Sequence, residues 1–232
     1  MKNILIVGGT SGIGRELCTK LIAENNTIHV LSRGSAASDK IAGLTYSIWD
    51  STSDGVPEIP FDSIDGLVYC PGSINLKPFH RITDIEFLAE FNLNALGAVK
   101  ILRLALPLLK KSTSASVVLY STVAVSTGMP FHSSIAMSKG AVEGLVRSLA
   151  AEWAPNIRVN AVAPSLINTP LAEKLLSTPE KTEASAKRHP LGRVGQPADI
   201  AEATIFLLSE KSSWITGQVI HIDGGIGRLK IF

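Results

Sequence analysis

Two hydrophobic rhythms alternate along the chain. Short, nearly unbroken apolar runs rich in β-branched residues read as strands: Asn3–Val7 (NILIV), Thr27–Leu31 (TIHVL), a weaker Leu44–Ile48, Asp65–Tyr69 (DGLVY), Ala115–Tyr120 (ASVVLY), Ile157–Val162 (IRVNAV) and Gln218–Ile222 (QVIHI). Between them lie longer stretches with apolar positions every three or four residues. These predict helices over about Ile13–Glu24, Thr83–Lys111, Ser134–Trp153 and Ala198–Leu208. Strands separated by helices pair in parallel through right-handed crossovers. Runs without polar alternation are those of a sheet covered on both faces. The pattern predicts one doubly wound parallel α/β sheet spanning residues 1–232 as a single domain.

Two segments break the rhythm. Ser51–Phe61, rich in Ser, Asp, Gly and Pro, reads as loop and leaves little room for a helix between the third and fourth strands. Leu171–Pro190 is largely polar and is the expected cover of a substrate pocket, mobile rather than fixed. The predicted helix Ser134–Trp153 is apolar or small almost all round. That pattern calls for burial on two sides, one against the sheet and one against a second subunit.

Composition narrows the function classes. A net charge of +2, with scattered Lys and Arg, gives no basic patch for nucleic acid. No apolar stretch is expected to reach the roughly 18–20 residues of a membrane span, and residues 1–10 carry no signal-peptide pattern. The two cysteines, Cys18 and Cys70, and the five histidines show no disulfide or metal-ligand spacing, so no metal is expected. The expectation is a soluble cytoplasmic protein.

Candidate chemistry begins after the first strand, with Gly8-Gly9-Thr10-Ser11-Gly12-Ile13-Gly14. Glycines between a strand and a helix allow a tight turn and close backbone approach to a pyrophosphate, which the helix N-terminus then faces with free N–H groups. The second strand ends in Ser32-Arg33. No carboxylate stands there to bind a ribose 2′-hydroxyl, and the planar guanidinium of Arg33 suits a 2′-phosphate. NADP(H) is therefore expected over NAD(H).

The stretch Val7-Gly8-Gly9-Thr10-Ser11-Gly12-Ile13-Gly14 resembles the T-G-x-x-x-G-I-G opening of the short-chain dehydrogenase/reductase family, a Rossmann-fold family, with Val7 for the threonine. Further landmarks are similar: Asn94-Ala-Leu-Gly97, Asn160 to Pro170 with Ser165 for a glycine, Leu191 to Pro197, and Thr216-Gly217 with Asp223-Gly-Gly225. The resemblance implies that the cofactor contacts Gly8, Thr10, Ser11, Gly12, Ile13, Gly14, Arg33, Asp50, Ser51, Cys70, Gly72, Lys139, Ile167 and Thr169. Asp50 would meet the adenine. It also implies catalytic roles. Asn94 holds a relay water, Lys139 binds the nicotinamide ribose, and a hydroxyl thirteen residues before the family's tyrosine lands on Thr122, with Ser121 as its neighbour.

The chain departs from the family at two places. The tyrosine position, four residues before Lys139, is Ile135, which has no proton to give. The family's N-N-A-G reads Tyr69-Cys70-Pro71-Gly72, so the asparagine that ties neighbouring strands together is expected to be lost. Substitute donors are Tyr120, better read as a core residue, and His132. The histidine stands seven residues before Lys139, where the superfamily's enoyl reductases keep their tyrosine. The expected function is an NADP(H)-dependent oxidoreductase acting on a small carbonyl, alcohol or enone with a non-standard proton donor. Its rivals are a catalytically silent NADP(H) sensor or scaffold, and non-redox chemistry on the same site. A homodimer or homotetramer is expected, with a small-molecule substrate as the other partner.

Overall fold

A computed structural model of the chain describes residues 1–34 and 41–230. Its strands are β1 (Asn3–Val7), β2 (Thr27–Ser32), β3 (Thr45–Ile48), β4 (Gly66–Tyr69), β5 (Ala115–Tyr120), β6 (Ile157–Pro164) and β7 (Val219–Ile222). They form one parallel sheet in the order β3-β2-β1-β4-β5-β6-β7. Its α-helices are α1 (Gly12–Ala23), α2 (Asp84–Phe91), α3 (Gly97–Leu109), α4 (Ser133–Trp153), α5 (Pro179–Ala186) and α6 (Pro197–Leu208). The strand order reverses between β1 and β4. In a doubly wound sheet that reversal opens a crevice at the carboxyl ends of the strands.

Successive strand residues point to opposite faces, and the core divides accordingly. Leu5, Val7, Leu67, Tyr69, Val117 and Leu119 pack with Ile101 and Leu102 of α3 and Val142 and Val146 of α4. Ile4, Ile6, Val30, Val68 and Val118 pack with Leu17 and Leu21 of α1 and Ile200 and Leu207 of α6. Both faces are covered, as the unbroken apolar runs require.

The helical region expected over Thr83–Lys111 runs from Asp84 to Leu109 and contains two α-helices. A capping box starts α2: Thr83 Oγ1 accepts from the Glu86 N–H at 3.3 Å, and the Glu86 carboxylate accepts from the Thr83 N–H at 3.0 Å. A π-helical turn, Asn92–Leu96, then separates α2 from α3. Such turns insert a residue into the helix and redirect the side chains that follow. Joined, Asp84–Leu109 is long and apolar enough to cross a membrane by length and composition, contrary to the expectation from the sequence. Its apolar side, Ala98, Ile101, Leu102, Ala105 and Leu109, is buried in the core against the sheet.

Beside β4, the residue in the asparagine's place braces a different neighbour. Tyr69 Oη lies 2.6 Å from the carbonyl of Leu93, within the π turn, and 2.9 Å from Ser51 Oγ. A carbonyl only accepts, so the phenol donates to Leu93 and Ser51 completes the bridge. The tyrosine ties β4 to the turn carrying Asn94, and Gly97 makes room for it. A Cβ at Gly97 would stand 2.1 Å from Tyr69 Oη. Gly97→Ala is therefore expected to cost about 1–3 kcal/mol, as overpacking of a dense core does. Denaturant titration of Gly97→Ala, Tyr69→Phe and the double variant checks the cause. The double variant is to be less destabilised than the sum of the singles, because removing Oη removes the clash.

Candidate active site

A cavity of about 830 Å³ runs along the carboxyl ends of the strands. One end is the glycine loop. Gly12 has φ +51°, in the left-handed region, and a Cβ on Gly14 would lie 2.2 Å from the Gly8 carbonyl oxygen. Ser11 precedes α1 without capping it, and the first turn of α1 holds no acid. The N–H groups of that turn are thus left for an anion, and Ser11, Gly12 and Ile13 stand in the cavity wall. Thr169, also in the wall, closes over the loop: its Cγ2 would be 3.3 Å from a Cβ on Gly12. These features fit a dinucleotide pyrophosphate.

Further along, Ser32, Arg33, Trp49 and Ser51 line the cavity, and Arg33 is exposed. Ser32 Oγ donates to the Gly34 carbonyl at 3.2 Å. Asp50 stands beside the wall rather than in it. Its Oδ1 accepts from the Thr52 hydroxyl at 2.7 Å and the Thr52 N–H at 2.8 Å, bonds that hold its carboxyl below the usual range.

The far end gathers Cys70, Gly72, Ser73, Thr122, His132, Ile135 and Lys139. Lys139 is 7% exposed, and burial lowers its pKa to about 8, opposed by the charge of Glu90 and by Cys70. Asn94 lies behind the wall, 1% exposed. Its Nδ2 donates to the Glu90 carbonyl at 2.8 Å and to Ser73 Oγ at 3.0 Å, which fixes the amide orientation. Its Oδ1 is left buried without a partner among the described residues. Asn94 Oδ1 and Lys139 Nζ would lie 3.6 and 3.8 Å from a Cβ on Gly72, so the acceptor and the ammonium face one spot beside that glycine. Ile135, 7% exposed, stands one turn before Lys139 on α4.

The hydroxyls sort by their partners. Ser121 Oγ donates to Glu143 at 2.7 Å and is 3% exposed, whereas Thr122 accepts a 3.3 Å bond from the Ala124 N–H and keeps its own proton to donate. Tyr120 lines the cavity, but its hydroxyl is bonded to Thr204 at 2.9 Å and its phenol is pushed well up by burial. His132 Nδ1 donates to the Pro130 carbonyl at 2.7 Å. It can therefore give a proton from Nε2 only when doubly protonated. Leu171–Pro190, expected as a mobile cover, carries a short 3₁₀ turn, Pro170–Leu175, and helix α5. It is tethered where His189 Nδ1 donates to the Ser185 carbonyl at 2.8 Å and His189 Nε2 accepts from Ser165 at 2.9 Å.

Residues 56–227 match the family model described as enoyl-(acyl carrier protein) reductase. A tropinone reductase homologue of Arabidopsis thaliana is 36% identical over 97% of this chain and 92% of its own. The chain belongs to the short-chain dehydrogenase/reductase family. A ligand-free aldohexose dehydrogenase from Thermoplasma acidophilum superposes with a TM-score of 0.90, at 28% identity, over 100% of this chain and 96% of that one. The structure of ElxO with NADP bound superposes with a TM-score of 0.87, at 26% identity, over 97% of this chain and 99% of that one.

The family is one of oxidoreductases that bind a nicotinamide cofactor. Two polar residues at the candidate site escape the sequence reading. Glu90, 6% exposed, lies four residues before Asn94, and Ser73 Oγ donates to its Oε2 at 2.8 Å. The signal was present: a charge one turn before a site asparagine.

Lys139 yields a stability test with a definite sign. Its folded pKa of about 8 lies below its ordinary 10.5, so the unfolded chain holds more protons between those values. The burial penalty is complete below about pH 8 and fades as pH rises toward 10.5. Lys139→Met is expected to stabilise the apoprotein at pH 7 by about 1–3 kcal/mol. Thermal denaturation should show that gain shrinking above pH 8, while calorimetry shows cofactor affinity falling by the roughly 1–3 kcal/mol of a charge-assisted bond.

Proposed function

We propose that this protein is an NADP(H)-dependent oxidoreductase that moves hydride between the cofactor and a small carbonyl, alcohol or activated alkene, without a tyrosine as its proton donor. The reading rests on the convergence of Lys139 Nζ and the unpartnered Asn94 Oδ1 beside Gly72, within a cavity that also begins at an anion-ready helix terminus. A bound nicotinamide supplies or accepts the hydride. The chain's own groups bind the pyrophosphate at Ser11–Ile13, hold the ribose at Lys139 and orient the reacting oxygen with the Thr122 hydroxyl. Arg33 at the open adenosine end is the group suited to a 2′-phosphate, and NADP bound in ElxO supports the same preference.

One panel tests the reaction: NADPH oxidation with tropinone and crotonyl-CoA, and NADP⁺ reduction with an aldohexose, drawn from what the matching family and relatives are named for. Turnover of at least one is expected. Kd for NADPH should be lower than for NADH, and Arg33→Ala should abolish that difference by raising Kd for NADPH alone. Equal affinities in the wild type would remove the assignment of NADP(H).

Ile135, buried where the family resemblance places the tyrosine, favours a second reading, a cofactor-binding sensor without catalysis. Tight NADPH binding without turnover of any panel member, in the wild type and in Ile135→Tyr, would select it.

The protein also works as a homodimer or homotetramer in this proposal. Ile85, Leu88, Leu96 and Leu104 are exposed along α2, the π turn and α3, and β7 is an edge strand half-buried throughout. Light scattering at micromolar concentration is expected to give a multiple of 24.6 kDa.

A further inference from the structure

Among the groups of this cavity, one buried acid has no part in cofactor binding. Glu90 is 6% exposed, sits on α2 behind the cavity wall, and is reached from the cavity through Ser73. Ser73 Oγ donates to Glu90 Oε2 at 2.8 Å and accepts from Asn94 Nδ2 at 3.0 Å. Asn94 Nδ2 also lies 3.4 Å from the same carboxylate oxygen. A hydroxyl in the wall of an active-site cavity, backed by a buried carboxyl and oriented by a fixed amide, is the arrangement of a proton shuttle.

We infer that Ser73 and Glu90 are the proton-transfer pair of this site, with Ser73 passing to the substrate oxygen the proton that Glu90 holds. The inference rests on the oxidoreductase reading given above. In the reductive direction Glu90 is the neutral acid. Its O–H then donates to Ser73 Oγ, whose other lone pair is taken by Asn94, and the Ser73 O–H is free for the substrate. As hydride reaches the carbonyl carbon and the C=O π pair moves onto oxygen, that oxygen takes the Ser73 proton. Ser73 takes the Glu90 proton along the 2.8 Å bond, leaving a carboxylate. The carboxylate recovers a proton from solvent after the product leaves. In the oxidative direction the bonds run as observed: Ser73 donates to the carboxylate while its oxygen accepts the alcohol proton. Both directions use the same heavy-atom positions, and only protons move. Serine serves as a relay, so its own high pKa is no obstacle; the acid is the carboxyl. Lys139, the charged group facing Glu90 from α4, binds the ribose.

The test uses whichever panel compound the wild type turns over. Glu90→Gln and Ser73→Ala are each expected to lower kcat about 10²-fold, within the range of a positioned general acid. Cofactor Kd, read by calorimetry with NADPH, and KM should stay near wild type. Adding Ile135→Tyr, which places a phenol one turn from Lys139, should raise kcat far more in the two variants than in the wild type. Loss of kcat with that rescue supports the pair. Near-wild-type kcat in either variant overturns it. So does a loss of kcat accompanied by weaker NADPH binding and no rescue, which marks a structural role. If the wild type turns over no panel compound, the oxidoreductase reading falls and the pair falls with it. That failure is told from the others because it precedes any substitution.

Discussion

An ammonium group held almost out of water organises this end of the molecule. Lys139 is buried deeply enough for its proton to be loosened, and such a group persists only if its surroundings return part of the lost hydration. Here the compensation comes from charge, with no ion pair to Lys139 among the described residues. Glu90 acts across α2 and α4 as a counter-charge, and Asn94 Oδ1 faces the same spot as the ammonium. Both come from the helical segment that follows β4, and Asn94 is aimed by the π turn. The turn is held in turn by Tyr69, whose hydroxyl reaches Leu93, and Gly97 clears the space for that hydroxyl. A chain of contacts from β4 to α4 thus fixes one polar spot, and each link is set by the one before it.

This dependence explains what could be read from the sequence. The sheet was legible because parallel strands covered on both faces are apolar at nearly every position, as β1, β4 and β5 are. The glycine loop was legible because close backbone approach excludes other residues, as the 2.2 Å contact a Cβ on Gly14 would make shows. The π turn was not legible, because one added residue leaves the apolar spacing of Thr83–Lys111 nearly helical. Glu90 was missed for a related reason. A single acid in a helix reads as solvent-facing unless the rotation of the helix is known, and the turn that sets its relation to the site lies just beyond it.

Tyr69 shows a contact of another kind. An asparagine missing from a familiar motif suggested that a brace had gone. Bracing is a matter of which acceptors are satisfied, and a phenol from the same strand position reaches the backbone of the π turn instead. Helix α5 was unreadable for yet another reason. Pro179–Ala186 buries none of its residues, so no apolar stripe marks it. Its position is set by capping at Thr178 and by the His189 contacts with Ser165 and Ser185, which are long-range or local polar contacts without periodicity.

The isoleucine beside Lys139 has a physical consequence of its own. Ile135 adds no donor, but its apolar side chain, 7% exposed, helps keep water from the face of α4 where the ammonium lies. A drier wall strengthens every remaining electrostatic interaction there, including the field between Lys139 and Glu90. It also makes an unpaired polar atom such as Asn94 Oδ1 more costly until something occupies the spot beside Gly72. The same substitution that removes a phenol therefore sharpens the polarity of the groups that stay.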